Sequence, residues 1–297
     1  AYYNRFPNSD KDSLADAAQC REEADYIIGM DCSVALTCKY ARGKGNVASI
    51  GRVMGPTMYI VYSREQEIKN FKPELYTDIS LTTATDSQDT ITLKRKSSER
   101  LSKTEAATLK NSLSKISSVI LTKETKQTSK RAPELYDATT IAQDMNKRYG
   151  YSAKKTSDII QKLYQDYALT TYPGTNARKI SEGSAKKVYQ ILNNLTVLTN
   201  FTAEIKANGW QVSPHVVTSE GLAHEAITPV YGSINPANVA KLSKDEMNVY
   251  IAIVERFLAV FYPKAVYEEV VVSTEASGEN FETRGKSLLE PGWTAVL

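Results

Sequence analysis

Apolar residues return at helical spacing along several stretches of the chain, and between those stretches the spacing tightens to the alternation of strands. Leu14, Ala18, Ala24, Ile27 and Ile28 predict a mostly helical segment over residues 14 to 40, closed by the loop ARGKGN. The stretch SIGRVMGPTMYIVYSREQEIKNF opens on small and polar residues and continues as a helix ending near Lys72 and Pro73. From Tyr76 to Lys130 Ser, Thr and Lys dominate, and alternation in DTITLKRK and SVILTKETKQT predicts strands with one buried face. A helix falls between them, because Ser102 and Glu105 have capping-box spacing and Ala106, Leu109, Leu113 and Ile116 share one face.

Pro133 marks a boundary. Beyond it, Thr139 or Thr140 is placed to cap a helix running to about Tyr149, with Ile141 and Met145 inward, and Gly150 supplies the positive φ of a turn. Ser152 then caps a second helix that buries Ile159, Ile160 and Leu163. Two short helices joined at a glycine are the pattern of a helix-turn-helix unit and equally of a plain helical hairpin. Lys154 and Lys155 sit at the start of the second helix, where free backbone N–H groups favour phosphate. SAKKVYQILNNLTVLTNF predicts one more amphipathic helix with Val188, Leu192 and Leu195 on its stripe. Ser243 and Glu246 form a capping box ahead of Met247, Ile251, Val254 and Leu258, with Pro263 beyond the helix end, and YEEVVVSTEA returns to strand character. The order helical, strand-rich, helical, strand-rich predicts an α+β multidomain chain in which a helical domain is inserted into a β-rich one.

A length of 297 residues exceeds the usual single core. With 41% hydrophobic and 24% charged residues, no apolar run approaching the roughly 18 residues of a membrane span and no signal pattern, the expectation is a cytoplasmic protein without a membrane partner. Cys20, Cys32 and Cys38 are odd in number and lack Cys-x-x-Cys spacing, and His215 and His224 lie far from them, so they read as reduced thiols and no zinc is expected. The net charge is only +3, so any nucleic-acid footprint has to be local. Local clusters exist at Lys94 to Lys96 with Arg100, at Lys123 to Arg131, at Lys147, Arg148, Lys154 and Lys155, and at Arg178, Lys179, Lys186 and Lys187.

Four stretches, in order, resemble one family. REEADYIIGMDCSVALT looks like the helix in which type IA DNA topoisomerases carry an Arg, Ala, Asp, Trp, Gly, Met pattern, and SIGRVMGPT is similar to their Ser-x-Gly-Arg-Val-Gln-x-Pro-Thr segment. The block from PELYD to ALTTYPGTNAR resembles the one ending in the family's Thr-Tyr-Pro-Arg-Thr-Asp-Ser, and AHEAITP its His-x-Ala-Ile-x-Pro, with VERFLAVFYP similar to the helix that follows. Together they span residues 20 to 297 and sit closest to the topoisomerase III branch.

The resemblance implies cleavage of one DNA strand by a tyrosine that becomes joined to the 5′ phosphate, strand passage, and resealing without ATP. Tyr172 matches that nucleophile; by itself it is one of 18 tyrosines, of a kind commonly structural. A phenol with a pKa near 10 needs positive charge, a proton acceptor and in-line positioning to attack at neutral pH. His224 matches the family's active-region histidine, whose implied role is contact with the scissile region or proton relay; the alternative is a hydrogen-bonded loop histidine. Ser49 and Arg52 match positions that contact single-stranded DNA, with Arg52 on a phosphate oxygen. Arg178 matches a later family arginine and Lys179 adjoins it, so both join Lys154 and Lys155 as candidate DNA contacts. His215 matches no motif.

Departures accompany the matches. The family arginine two residues after the tyrosine is Gly174 here, and losing one such donor from a preorganised site costs about 3 kcal/mol. Asn176 stands for an aspartate, Ala177 for a serine, Met54 for a glutamine and Val34 for an arginine. The resemblance further implies magnesium held by an acidic cluster of a preceding Toprim domain, which none of the matched stretches contains, and no zinc-ribbon tail is expected after Leu297. The 297-residue chain alone is therefore expected not to relax supercoiled DNA. The expected domains are a helical DNA-binding part (1–63), a β-rich arch (64–132), a helical tyrosine domain (133–245) and a second arch part (246–297), with hinges near Ala132 to Glu134 and Leu242 to Asp245. The expected partners are single-stranded DNA and negatively supercoiled duplex, acted on by a monomer. A second reading keeps the fold and the single-strand binding but not the cleavage, as Gly174 and Asn176 permit.

Overall fold

The computed structural model describes residues 8–41, 43, 45, 47–85, 88–230 and 235–297, for 8–12 the backbone alone. Two compact units divide between Tyr76 and Thr77.

The first unit is helical. Helix α1 (Asn8–Tyr26) runs on through a wider turn at Ile27–Asp31 into α2 (Cys32–Leu36) and a second wide turn at Thr37–Ala41. Helix α3 (Met54–Lys69) follows. The predicted helices are present, but their apolar residues form no buried stripe: Leu14, Ile27, Met58, Ile60 and Val61 are all exposed. Helical spacing therefore gives the secondary structure of this unit and not a core. Arg42, Lys44 and Asn46 of the predicted loop lie outside the described residues. The three cysteines are free and exposed.

The second unit combines an antiparallel sheet with a helical body. Strands β1 (Ser80–Ala84), β2 (Thr90–Arg95), β3 (Thr122–Lys130), β6 (Ala265–Ala276) and β7 (Glu279–Glu290) lie in the order β1-β2-β7-β6-β3. β6 and β7 form a long hairpin closed at Ser277 and Gly278, both with positive φ, the conformation of a two-residue turn that matches strand twist. At the hairpin tip a small core gathers Leu93, Ala276 and Phe281 with Leu81, Ile91 and Leu113. Leu113 ends α4 (Lys103–Leu113), whose Ser102–Glu105 capping box forms as expected; Ile116 lies beyond the helix and is exposed. One expectation fails here. β3 has no buried residue, because it is the edge strand and no layer covers either of its faces.

The helical body comprises α5 (Ala138–Tyr149), α6 (Ala153–Gln165), α7 (Glu182–Ala185), α8 (Val188–Asn194), α9 (Thr199–Asn208), α10 (Pro236–Ala240) and α11 (Lys244–Ala259), with short parallel strands β4 (Ile180–Ser181) and β5 (Val217–Thr218). Its core collects Leu135, Ile141, Met145, Ile160, Leu163 and much of α11, from Val249 on through Phe261 and Tyr262. The core has members on both sides of Leu242 to Asp245, with Val239 before that stretch and Val249 after it. The helix α5 cap is Asp137, not Thr139 or Thr140: its carboxylate accepts the Thr140 N–H at 2.6 Å, and the Thr140 hydroxyl accepts the Asp137 N–H at 3.1 Å in return. A carboxylate is among the strongest N-cap acceptors, and Thr140 completes the box from the third position. The helix predicted over SAKKVYQILNNLTVLTNF is three pieces, broken after Asn194 and restarted at Leu198 in the left-handed region, yet Val188, Leu192 and Leu195 are buried as expected.

Candidate active site

Backbone hydrogen bonding sets the position of Tyr172. Helix α6 ends as Leu169 N–H donates to Leu163 O, with Ala168 at positive φ turning the chain. The next residues zip against the segment that carries His224. Thr171 N–H donates to Thr228 O at 2.9 Å, the Thr171 hydroxyl donates to Ala226 O at 3.0 Å, and Val230 N–H donates to Leu169 O. Leu169, Thr170, Ala226 and Ile227 are buried, so this zipper is anchored in the core. On its far side Ile227 N–H donates to Tyr136 O, and Ala226 N–H to Lys179 O. Glu225 adds a lateral tie by accepting the Ser181 N–H and the Ser184 hydroxyl.

Tyr172 emerges where this zipper ends. Its side chain is 41% exposed. Its ring lies 4.5 Å from the exposed His224 imidazole, centroid to centroid, and 5.6 Å edge-on from Tyr164 of α6. The structure thus brings the two sequence-predicted catalytic residues together, from positions 52 residues apart in the chain. Tyr164 was not legible as part of this group; its exposed position at the end of α6 is unremarkable without the turn that folds Tyr172 back onto it.

The predicted DNA contacts divide. Arg178, beside the tyrosine segment, pairs with Glu134 at 3.4 Å, while Lys179 makes no ion pair among the described residues. Lys155 is tied to Asp245 at 2.6 Å and lies over the Tyr151 ring, and the same pairing holds the Asp245 carboxyl below its ordinary value. Lys154 pairs with Asp158 at 3.2 Å. Nine residues along α6 put Lys155 roughly 14 Å from Tyr164 and on the opposite face, so the structure does not gather Lys154 and Lys155 with Tyr172. Ser49 and Arg52 belong to the first unit. There Ser33 and Thr37 hold the backbone of Ile50 and Ala48, leaving Ser49 exposed. Arg52 meets both oxygens of Asp25, at 2.6 and 3.3 Å, and this hydrogen bonding lowers the Asp25 carboxyl and raises the guanidinium.

His215, assigned no role from sequence, lies at the junction between β3 and the helical body. Its Nε2–H donates to Ala132 O at 2.9 Å, which leaves Nδ1 to accept from the Ser213 hydroxyl at 2.8 Å. Burial pushes its imidazole below the ordinary value. Among the described residues no three His, Cys, Asp or Glu side chains converge to hold a metal ion, so the donor set does not fit a resident magnesium.

Tyr172 and His224 thus stand side by side at the exposed end of a buried zipper inside an α+β frame. Residues 9–297 match the family model described as DNA topoisomerase, and the chain belongs to that family. DNA topoisomerase 3 of Bacillus licheniformis is 35% identical over 294 residues, and that of Bacillus subtilis (strain 168) 34% over 293. These alignments cover 97% and 96% of this chain but 39% of each relative, so the chain spans about two fifths of the length of the curated relatives it matches. Full-length topoisomerase I from Thermotoga maritima shares the fold, with a TM-score of 0.68 at 24% identity, over 94% of this chain and 45% of that one.

Proposed function

We propose that this chain supplies the tyrosine-bearing part of a type IA DNA topoisomerase that cuts one strand, passes a strand through the break and reseals it without ATP. The observation that carries this reading is the exposed Tyr172 phenol beside His224, both fixed by the Leu169–Thr171 and Ala226–Val230 zipper. In the proposed step the Tyr172 oxygen attacks the scissile phosphorus in line. A bond forms from the phenol oxygen to the 5′ phosphate and the P–O3′ bond breaks. The phenol proton passes to His224 or to water, and the departing 3′ oxygen takes up a proton as a hydroxyl. One phosphate ester replaces another, so resealing is the reverse attack. Lys179 and Arg178 supply positive charge toward the phosphate, and Arg52 and Ser49 hold single-stranded DNA. The working partners are single-stranded and negatively supercoiled DNA, and the working form is a cytoplasmic monomer.

A binding-only relative is the second reading, favoured by Gly174 in place of a cation and by the ion pairs that occupy Arg52, Arg178, Lys154 and Lys155. Relaxation of negatively supercoiled plasmid, with magnesium and without ATP, by the longest natural form of the chain and its Tyr172→Phe variant separates the two. Relaxation by the unmodified protein alone assigns the nucleophile. No relaxation by either, with no trapped covalent adduct, leaves binding as the function.

A further inference from the structure

Gly174 has a negative φ, so its backbone does not call for glycine. Its surroundings do. A Cβ built on residue 174 would stand 2.6 Å from the Tyr172 Oη and 2.8 Å from its Cε1 and Cζ, closer than a real Cβ ever stands, and these three nearest atoms all belong to Tyr172. The tyrosine therefore folds back across its own Pro173–Gly174 turn, with its reactive oxygen in the space that a side chain at 174 would fill. The turn itself is fixed independently, since Thr175 is buried, accepts the Ala138 N–H through its carbonyl and donates its own N–H to Pro173 O. Tyr164 and His224 bound the same ring on other sides.

We infer that Gly174 is a positioning residue for Tyr172: the missing side chain is what seats the phenol beside His224. The inference rests on the reading of Tyr172 as the nucleophile. It assigns residue 174 a role that needs no charge and no contact with DNA. Adding one methyl group there displaces the ring, because the exposed phenol swings aside far more cheaply than the anchored turn moves. The ring then leaves His224, and attack on the phosphodiester slows while the DNA grip is untouched.

The test compares wild type, Gly174→Ala and Tyr172→Phe in the longest natural form of the chain. With tyrosines carrying 13C at the ε positions, the Tyr172 signal is identified by its loss in Tyr172→Phe. Ring neighbours displace that signal in the wild type, and in Gly174→Ala it is expected to move to the position of freely exposed tyrosines, with the thermal midpoint unchanged. With magnesium and a single-stranded oligonucleotide, the maximal rate of covalent adduct formation is expected to fall by about tenfold or more, at the same half-saturating oligonucleotide concentration. A Tyr172 signal that stays in place, or an adduct rate that does not change, overturns the inference. If wild type forms no adduct at all, the nucleophile reading fails instead, and the NMR signal alone decides whether Gly174 seats the ring.

Discussion

At the scale of single residues, the candidate DNA contacts differ in what already occupies them. Exposed ion pairs contribute only about 0–1 kcal/mol, so a phosphate displaces such a carboxylate cheaply. Arg178 is held by Glu134 at 3.4 Å, and removing that competitor by Glu134→Gln is expected to tighten single-strand binding about two- to fivefold at low salt. Fluorescence anisotropy reads this, and the gain should vanish at high salt. Lys179 has no carboxylate to give up among the described residues. Its replacement by Ala is expected to lower the slope of log affinity against log salt by about 0.7, the value of one lost phosphate contact on a single strand. An unchanged slope would remove Lys179 from the interface. His215 titrates rather than binds. It is faced by Arg131 and Lys179, which oppose its protonation, and by Glu134 and the Ala132 carbonyl, which favour it, with burial the largest effect. The fold keeps it neutral where the unfolded chain takes up a proton. Its contribution is therefore present above about pH 6.5 and lost as pH falls below that. Denaturation midpoints at pH 7.5 and 5.5 should fall further for wild type than for His215→Gln.

At the scale of elements, the chain announces its helices through their ends. The boxes at Ser102 and Ser243 and the cap at Ser152 form where spacing places them, because each is a local contract between residues three apart. Asp137 takes the cap of α5 ahead of the threonines behind it, as the same local chemistry ranks it higher. Gly150 caps α5 at φ 70°, and Gly150→Ala is expected to cost about 1 kcal/mol through the left-handed conformation. Urea denaturation measures that, and a neutral effect would mean that the turn relaxes. Strand β7 carries no alternation from Arg284 on, where every residue is exposed, and β1 alternates over only five residues, Leu81 and Thr83 facing inward. The site divides in the same way. Tyr172 and His224 were legible through motif resemblance, whereas the space over Gly174 and the edge of Tyr164 depend on a long-range zipper that no local pattern encodes.

At the scale of the whole second unit, two cores sit at opposite ends of one sheet. Beside the helical body, β3 leaves Lys130 for the buried Ala132, β6 begins at Ala265 three residues after Tyr262, and β7 leads into Trp293, whose indole N–H donates to Lys130 O. At the other end Ala276 and Phe281 enter the small core. Between these anchorages β6 is only half-buried, β3 is almost wholly exposed, and Arg284 to Glu290 of β7 are exposed. Few buried contacts mean low local stability. Amides of Glu268 to Val272 are thus expected to exchange at least about tenfold faster than those of Tyr250 to Leu258, which lie in the helical core; equal protection by hydrogen exchange with mass spectrometry would contradict this. In mechanical terms the sheet is a leaf spring clamped at both ends. Flexing it deforms the twist of three hydrogen-bonded ribbons and displaces no fully buried side chain of β6 at mid-span, so compliance is concentrated there while each clamp stays stiff.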